Sequence, residues 1–248
     1  MSPPSAGFVT RCREILFGTW GWIVFSLCVV FGLLVALLVP GTDRRMRYLA
    51  GTCRAVFVLS GADVRIEGLE NLPEGHSVIV ANHASYLDGV LLKGYLPGRF
   101  SFVIKGEMRD IPIVHFLLRR AGSKFVERFE AAGSARDARA IVKAAKGGDS
   151  MAFFAEGTFR EYPGVARFRP GAFVAAIKGE MPVVPVVIWG TREMHPGDPK
   201  LPKPVPLRLA ILPAIAPTDA AFADHRQLAE TTRQQIIAVL GEPDLCAE

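Results

Sequence analysis

The chain has 248 residues, half of them hydrophobic, with a formal net charge of +5 and a mean hydropathy of +0.27. Its four cysteines, Cys12, Cys28, Cys53 and Cys246, form no C-x-x-C pair, which excludes a disulfide or zinc framework. The positive charge is not arranged as a basic stripe interleaved with aromatics, which excludes nucleic acid as a partner and leaves an anionic lipid surface or anionic substrates.

The hydrophobic excess lies at the front. Phe17 to Val39 is 23 residues without a charge. As a helix it spans ~35 Å at ~1.5 Å per residue, enough for a bilayer core of about 30 Å. Pro40-Gly41 stops it. A cleaved signal peptide fits poorly, because the run exceeds the roughly 7–15 residues of a signal core and no small-x-small site follows. From Asp43 to Leu59, Arg44, Arg45, Arg47 and Arg54 alternate with Met46, Leu49, Val56, Phe57, Val58 and Leu59. That is the pattern of an interfacial helix with arginines at headgroup level. Residues 1–59 are therefore expected to be a helical membrane anchor, with residues 60–248 as a separate globular domain. Crossing the bilayer and lying in one leaflet both remain open. The arginines after the apolar run favour the cytoplasmic face of the inner membrane.

After the anchor, strand-like runs near Val64–Ile66, Ser77–Ala81, Phe100–Ile104, Lys124–Val126, Met151–Ala155, Val183–Trp189 and Leu207–Leu212 alternate with helical patterns. The helices are expected near Gly89–Tyr95, Ile111–Arg120, Ser134–Ala145, Ala172–Lys178 and Asp219–Leu240. Such alternation predicts an α/β fold, a largely parallel sheet flanked by helices. Pro185 inside the Val183–Trp189 run reads as the mark of an edge or irregular strand. Pro196–Pro206 reads as a surface loop.

The most informative segment is Asn82-His83-Ala84-Ser85-Tyr86-Leu87-Asp88. It pairs an imidazole, suited to taking a proton near neutral pH, with a carboxylate that can fix its tautomer. Residues five apart in a helix point ~140° apart. His83 must therefore sit on the turn after the Ser77–Ala81 strand, with Asp88 reaching back from the following helix. Ser85 reads as the N-cap of that helix. Such a turn lies at the carboxyl end of a strand, where open α/β sheets place their chemistry.

Three further segments follow in order: Gly122-Ser123-Lys124-Phe125-Val126-Glu127-Arg128, Phe154-Ala155-Glu156-Gly157-Thr158-Phe159-Arg160, and Val184-Pro185-Val186. With the His83 segment they resemble the four sequence blocks of the glycerophospholipid acyltransferase family, N-H-x-x-x-x-D, G-x-x-F-x-x-R, F-P-E-G-T-R and V-P-hydrophobic, over about residues 60 to 215. Within that family the blocks look like those of bacterial 1-acylglycerol-3-phosphate acyltransferases. The third block departs twice. Ala155 stands where the family has proline, and Phe159 takes the arginine position, with Arg160 one place later.

The resemblance implies direct transfer of an acyl group from an acyl-CoA or acyl-carrier-protein thioester to a lysophospholipid hydroxyl. The acceptor it points to is 1-acylglycerol-3-phosphate, giving phosphatidic acid, and the transfer needs neither metal nor other cofactor. His83 would be the base and Asp88 its orienter. Arg128, Lys105 and Arg160 would hold the acceptor phosphate, arginine through its planar fork and lysine as a point charge. Glu156 would bind an acceptor hydroxyl or anchor its loop to an arginine, and Gly122, Gly157 and Thr158 complete the binding set. His76, His115, His195 and His225 match no block and receive no role. Three other readings stand beside this one: the same chemistry on another acceptor such as lyso-ornithine lipid, kept open by Phe159 and Ala155; a non-catalytic membrane-anchored lipid-binding protein; and a hydrolase using His83 on water.

Overall fold

The computed structural model describes residues 7–126, 131–195 and 201–246. In chain order its helices and strands are α1 (Phe8–Leu38), α2 (Thr42–Ser60), β1 (Val64–Glu67), β2 (Val78–Ala81), α3 (Leu87–Tyr95), β3 (Ser101–Lys105), α4 (Pro112–Arg120), β4 (Lys124–Val126), α5 (Ala131–Lys146), β5 (Met151–Phe154), α6 (Gly171–Gly179), β6 (Val183–Trp189), α7 (Thr191–Met194), β7 (Leu207–Ile211) and α8 (His225–Leu240). The strands form one sheet in the order β1-β7-β6-β2-β5-β3-β4. Neighbours pair in parallel except β6 and β7, which are antiparallel. The expected largely parallel α/β architecture is the one found, with β7 and β1 reversed against the other five strands.

The apolar runs are continuous because the middle of the sheet is covered on both faces. All four residues of β2 are buried. Val78 and Val80 pack with Ile141 of α5, Phe173 of α6 and Leu228 of α8. Ile79 and Ala81 pack on the opposite face with Val24 of α1, Phe57 of α2 and Leu91 of α3. Phe57 is 1% exposed, so its burial stabilises the hairpin's attachment by roughly 1.5–3 kcal/mol.

Pro185 is not on an edge strand. β6 lies between β2 and β7. The Pro185 carbonyl accepts from the Leu212 amide on the β7 side, so its missing N–H also faces that side. The ladder there runs from Val186↔Ile211 to a separate bridge Val183↔Ile215, which is one residue longer on the β7 side. Proline is tolerated at such a bulge because no donor is required of it. The helix expected from Ser134 begins earlier, at Ala131, since the preceding alanines are strong helix formers. The pattern expected as one helix over Asp219–Leu240 is split. Ala220–Ala223 is a 3-10 turn, and Asp224 caps α8 by accepting from the amides of Arg226 and Gln227.

Helices α1 and α2 form a hairpin closed by hydrogen bonds. Trp20 Nε1 donates to the Leu59 carbonyl at 2.9 Å. Val9–Leu38 is long and apolar enough to cross a membrane, and Leu16, Trp20, Leu27, Phe31 and Leu38 on it are exposed. The arginines expected at headgroup level divide into two pairs. Arg44 and Arg47 are exposed. Arg45 donates to the carbonyls of Val39 (3.4 Å) and Arg120 (2.7 Å), and Arg54 to that of Gly94 (3.1 Å). The unpaired carbonyls at helix ends attract these cations inward.

Lys93 of α3 is also buried under α2. Its Nζ lies 3.4 Å from the Met46 sulfur and 5.8 Å from the centre of the Phe102 ring, and burial pushes its pKa down to about 8, with Cys53 the smaller, opposing influence. The unfolded chain binds this proton up to about pH 10.4, so between pH 8 and that value the unfolded state holds more protons and stability rises with pH. At pH 7 the penalty is fully present. Lys93→Met is therefore expected to raise the unfolding temperature at pH 7 and to flatten the rise in stability from pH 8 to 10. Thermal melts across that range check both; a variant that keeps the rise would remove Lys93 as its source.

Candidate active site

The carboxyl ends of β2 and β5 bring two of the blocks together. His83 follows β2, and its Nδ1 lies 2.8 Å from Asp88 Oδ2. The same oxygen accepts from the amides of Ala84 (2.6 Å) and Ser85 (2.9 Å). Asp88 is fully buried in the first turn of α3, where a negative charge is favoured. A carboxylate at Nδ1 puts the imidazole proton there and leaves Nε2 as the basic nitrogen. The His83 side chain is 16% exposed, so that nitrogen can be reached.

Other residues hold the turn in place. Asn82 acts as a peptide mimic beyond the end of the ladder: its Nδ2 donates to the Ile188 carbonyl (3.0 Å) and its Oδ1 accepts from the Ile188 amide (2.8 Å). Ser85 caps the entry to α3 as expected, although the regular helix begins at Leu87. Its hydroxyl accepts from the Leu87 amide (3.3 Å) and donates to the His195 carbonyl (2.8 Å). With its proton on that carbonyl, Ser85 is poorly placed as a nucleophile.

Glu156 differs from both roles expected for it. Oε1 accepts from the His83 amide at 3.0 Å and Oε2 from the Ala166 amide at 2.9 Å. The carboxylate is buried, and burial pushes its pKa up, against the pull of those two amides, His83 and Arg160. It joins two loops by their backbones. Gly157, with φ of +83°, turns the chain just after it; Thr158 is exposed and Arg160 half-buried. The Arg160 Nη1 is buried without a hydrogen-bond partner. Its guanidinium lies 6.0 Å from the Tyr162 ring.

Lys105 ends β3 on the same edge of the sheet as His83, with β5 between β3 and β2, about 10 Å away at ~4.8 Å per strand. Gly122 is not at this edge. It precedes β4 at the opposite, amino end, and a side chain there would meet the Met46 thioether at 3.1–3.2 Å. Arg128 lies outside the described residues.

Sequence reasoning missed the aromatic surround. Phe154 stacks on the His83 ring at 4.1 Å between centroids and 14° between planes. Phe159 meets the same ring edge-on at 5.0 Å and meets Tyr86 at 4.7 Å. The departure at Phe159 was the available signal. It also missed a cavity of about 150 Å³ between the hairpin and the turn, lined by Phe17, Trp22, Phe25, Phe57, Tyr86, Leu87 and His195 among others. Among the described residues no cluster of His, Cys, Asp and Glu could hold a metal ion.

A histidine held at Nδ1 by a buried carboxylate, at the carboxyl end of a mostly parallel sheet in an α/β fold, is an arrangement that can take a proton from a hydroxyl. The sequence model of the Acyltransferase family matches residues 63–189, 127 of the 248 residues, and the chain belongs to that family. It is 28% identical over 199 residues to the chloroplastic 1-acyl-sn-glycerol-3-phosphate acyltransferase of Arabidopsis thaliana, covering 78% of this chain and 56% of that one. It therefore spans little more than half the length of that plant relative. With the 1-acyl-sn-glycerol-3-phosphate acyltransferase of Helicobacter pylori it shares 24% identity over 218 residues, 86% of this chain and 90% of the other. The crystal structure of the 1-acyl-sn-glycerophosphate acyltransferase PlsC from Thermotoga maritima has the same fold, with a TM-score of 0.76 and 24% identity over 94% of this chain and 96% of that one.

Proposed function

We propose that this protein moves a fatty acyl group from a thioester, acyl-CoA or acyl carrier protein, to the free hydroxyl of 1-acylglycerol-3-phosphate, giving phosphatidic acid. The observation that carries the reading is the His83–Asp88 pair, at 2.8 Å, with the His83 side chain partly exposed at the carboxyl end of the sheet. His83 Nε2 takes the hydroxyl proton as the oxygen attacks the thioester carbonyl, the carbon–sulfur bond breaks, and the imidazolium returns the proton to the leaving thiolate. Asp88 stabilises the imidazolium between these steps. Arg160, with a buried guanidinium nitrogen that lacks a partner, suits an acceptor phosphate, as do Lys105 and Arg128. The names of the plant and bacterial relatives support the same acceptor.

A second reading, the same chemistry on another acceptor such as lyso-ornithine lipid, is favoured by Phe159. It sets an aromatic edge against His83 where the family block carries a cation. A lipid-binding protein without catalysis is disfavoured, because binding needs no base. A panel separates these readings: full-length protein in lipid vesicles, each donor against lysophosphatidic acid, other lysophospholipids and lyso-ornithine lipid, with His83→Ala as the blank. Fastest turnover of lysophosphatidic acid is expected. Turnover confined to the phosphate-free aminolipid would replace the first reading by the second, and release of free fatty acid alone would make the protein a hydrolase.

The same proposal sets the α1–α2 hairpin in the cytoplasmic membrane with the sheet domain on the cytoplasmic side. Trp20 and Trp22 are 52% and 38% exposed on α1, so lipids brominated on their acyl chains are expected to quench their fluorescence in vesicles. Unquenched emission would remove α1 from the bilayer.

A further inference from the structure

The catalytic turn is held from two sides by loops that share one distant carboxylate. On one side, Glu156 binds the amides of His83 and Ala166. Ala166 stands two residues after Gly164, whose amide donates to Glu242 Oε2 at 2.6 Å. On the other side, Ser85 donates to the His195 carbonyl. His195 follows the short α7 as its C-cap, and α7 begins at Thr191. The next residue, Arg192, forms a bidentate pair with Glu242 at 2.5 and 3.1 Å.

Glu242 itself is fixed by the tail around it. The Val165 amide donates to the Pro243 carbonyl and the Leu245 amide to the Val165 carbonyl. Asp244 takes two bonds from Arg233, at 2.6 and 2.8 Å. Gly164 has φ of +132°, and a Cβ there would come within 2.6 Å of the Leu245 side chain, so the loop fits under the tail only as glycine. The Arg192 and Glu242 side chains are 10% and 20% exposed. A bidentate pair this sheltered is directional, and loss of one partner leaves the other charge without its match.

We propose that Glu242 is a positioning residue for the His83 turn, acting through Gly164 and Arg192 on the two loops that hold it. It touches neither His83 nor Asp88. It sets how tightly Glu156 and His195 can brace the turn, and so how often His83 Nε2 sits within reach of a hydroxyl. The effect on turnover rests on the acyl-transfer reading; the effect on the turn does not.

Hydrogen exchange and kinetics on the full-length protein in vesicles test this together. In Glu242→Ala, amide exchange over residues 82–85 and 164–166 is expected to rise about fivefold or more, as for a local opening made easier by ~1 kcal/mol. Exchange in β5 (Met151–Phe154) should be unchanged. The kcat should fall on the order of tenfold, since small displacements of a reacting group are costly, while both KM values stay within about twofold. Glu242→Gln keeps an acceptor for Gly164 but loses the charge, and should fall between the alanine variant and the wild type; it carries the same measurements if Glu242→Ala does not fold. Unchanged exchange over residues 82–85, or faster exchange spread equally through β5, overturns the proposal. So does a loss confined to KM. If the wild type transfers no acyl group to any acceptor, the acyl-transfer reading fails, and the exchange data still decide the clasp.

Discussion

His83→Ala is expected to lower acyl transfer by about 10²–10⁴-fold, the usual contribution of a positioned general base, while the protein stays folded and membrane-bound. The folded state can spare the ring. Its hydrogen bond to Asp88 is one of three that Oδ2 accepts, and the amides of Ala84 and Ser85 still satisfy that oxygen. The bond that anchors position 83 to Glu156 comes from the backbone and survives the substitution. What the variant loses is Nε2 and the stacking of the ring on Phe154. Initial rates with saturating donor and acceptor measure the first, and a thermal melt the second. Turnover within about threefold of wild type would mean that another group takes the proton, which no base worth ~10²-fold or more would permit.

The parts of this site legible in the sequence are those written in short range. The Ser77–Ala81 run and the five-residue spacing of His83 and Asp88 fix a strand, a turn and a carboxylate reaching back, because a helix cannot put both side chains on one face. The interior sheet could be read because both its faces are apolar. The position of Pro185 could not, since a proline looks the same at an edge and opposite a bulge, and the bulge is made by Leu212–Ala214 far along the chain. Gly122 shows the limit of block matching: its block was read into the site, yet it precedes its strand and so lies at the amino end of the sheet. Glu156 was legible as a carboxylate of the site's third block and illegible as a backbone clamp, because its partner amides are 73 and 10 residues away. The bonds of Glu242 to Gly164 and Arg192 cross 78 and 50 residues and leave no pattern that a linear reading detects. Arginines 45 and 54 turned inward for a related reason. Arg45 serves the nearby Val39 carbonyl, but its shorter bond goes to Arg120, 75 residues on, and that of Arg54 to Gly94, 40 residues on.

Asp88→Asn should be as damaging to turnover as loss of the base and more damaging to the fold. Oδ2 takes three donors, and Oδ1 is buried with no partner. An amide has two ways to fit. With its oxygen at the Oδ2 position, the three bonds remain but lose their ionic partner, and the NH2 group is buried without an acceptor. With the NH2 at that position, it faces two backbone donors and forces the His83 proton from Nδ1 to Nε2, the nitrogen that must be basic. In the first case the imidazolium is no longer stabilised; in the second the base is blocked. Either way the loss in kcat should be on the order of 10³–10⁴, as for the corresponding change in a Ser-His-Asp triad, with KM little altered. Charge-assisted hydrogen bonds contribute roughly 1.5–3 kcal/mol against ~1 for neutral ones, and an unsatisfied buried donor costs about 1–3 kcal/mol. Asp88→Asn should therefore unfold at a lower temperature than His83→Ala. The reverse order of melting temperatures, or turnover above a tenth of wild type in Asp88→Asn, would show that Asp88 neither builds the turn nor sets the imidazole.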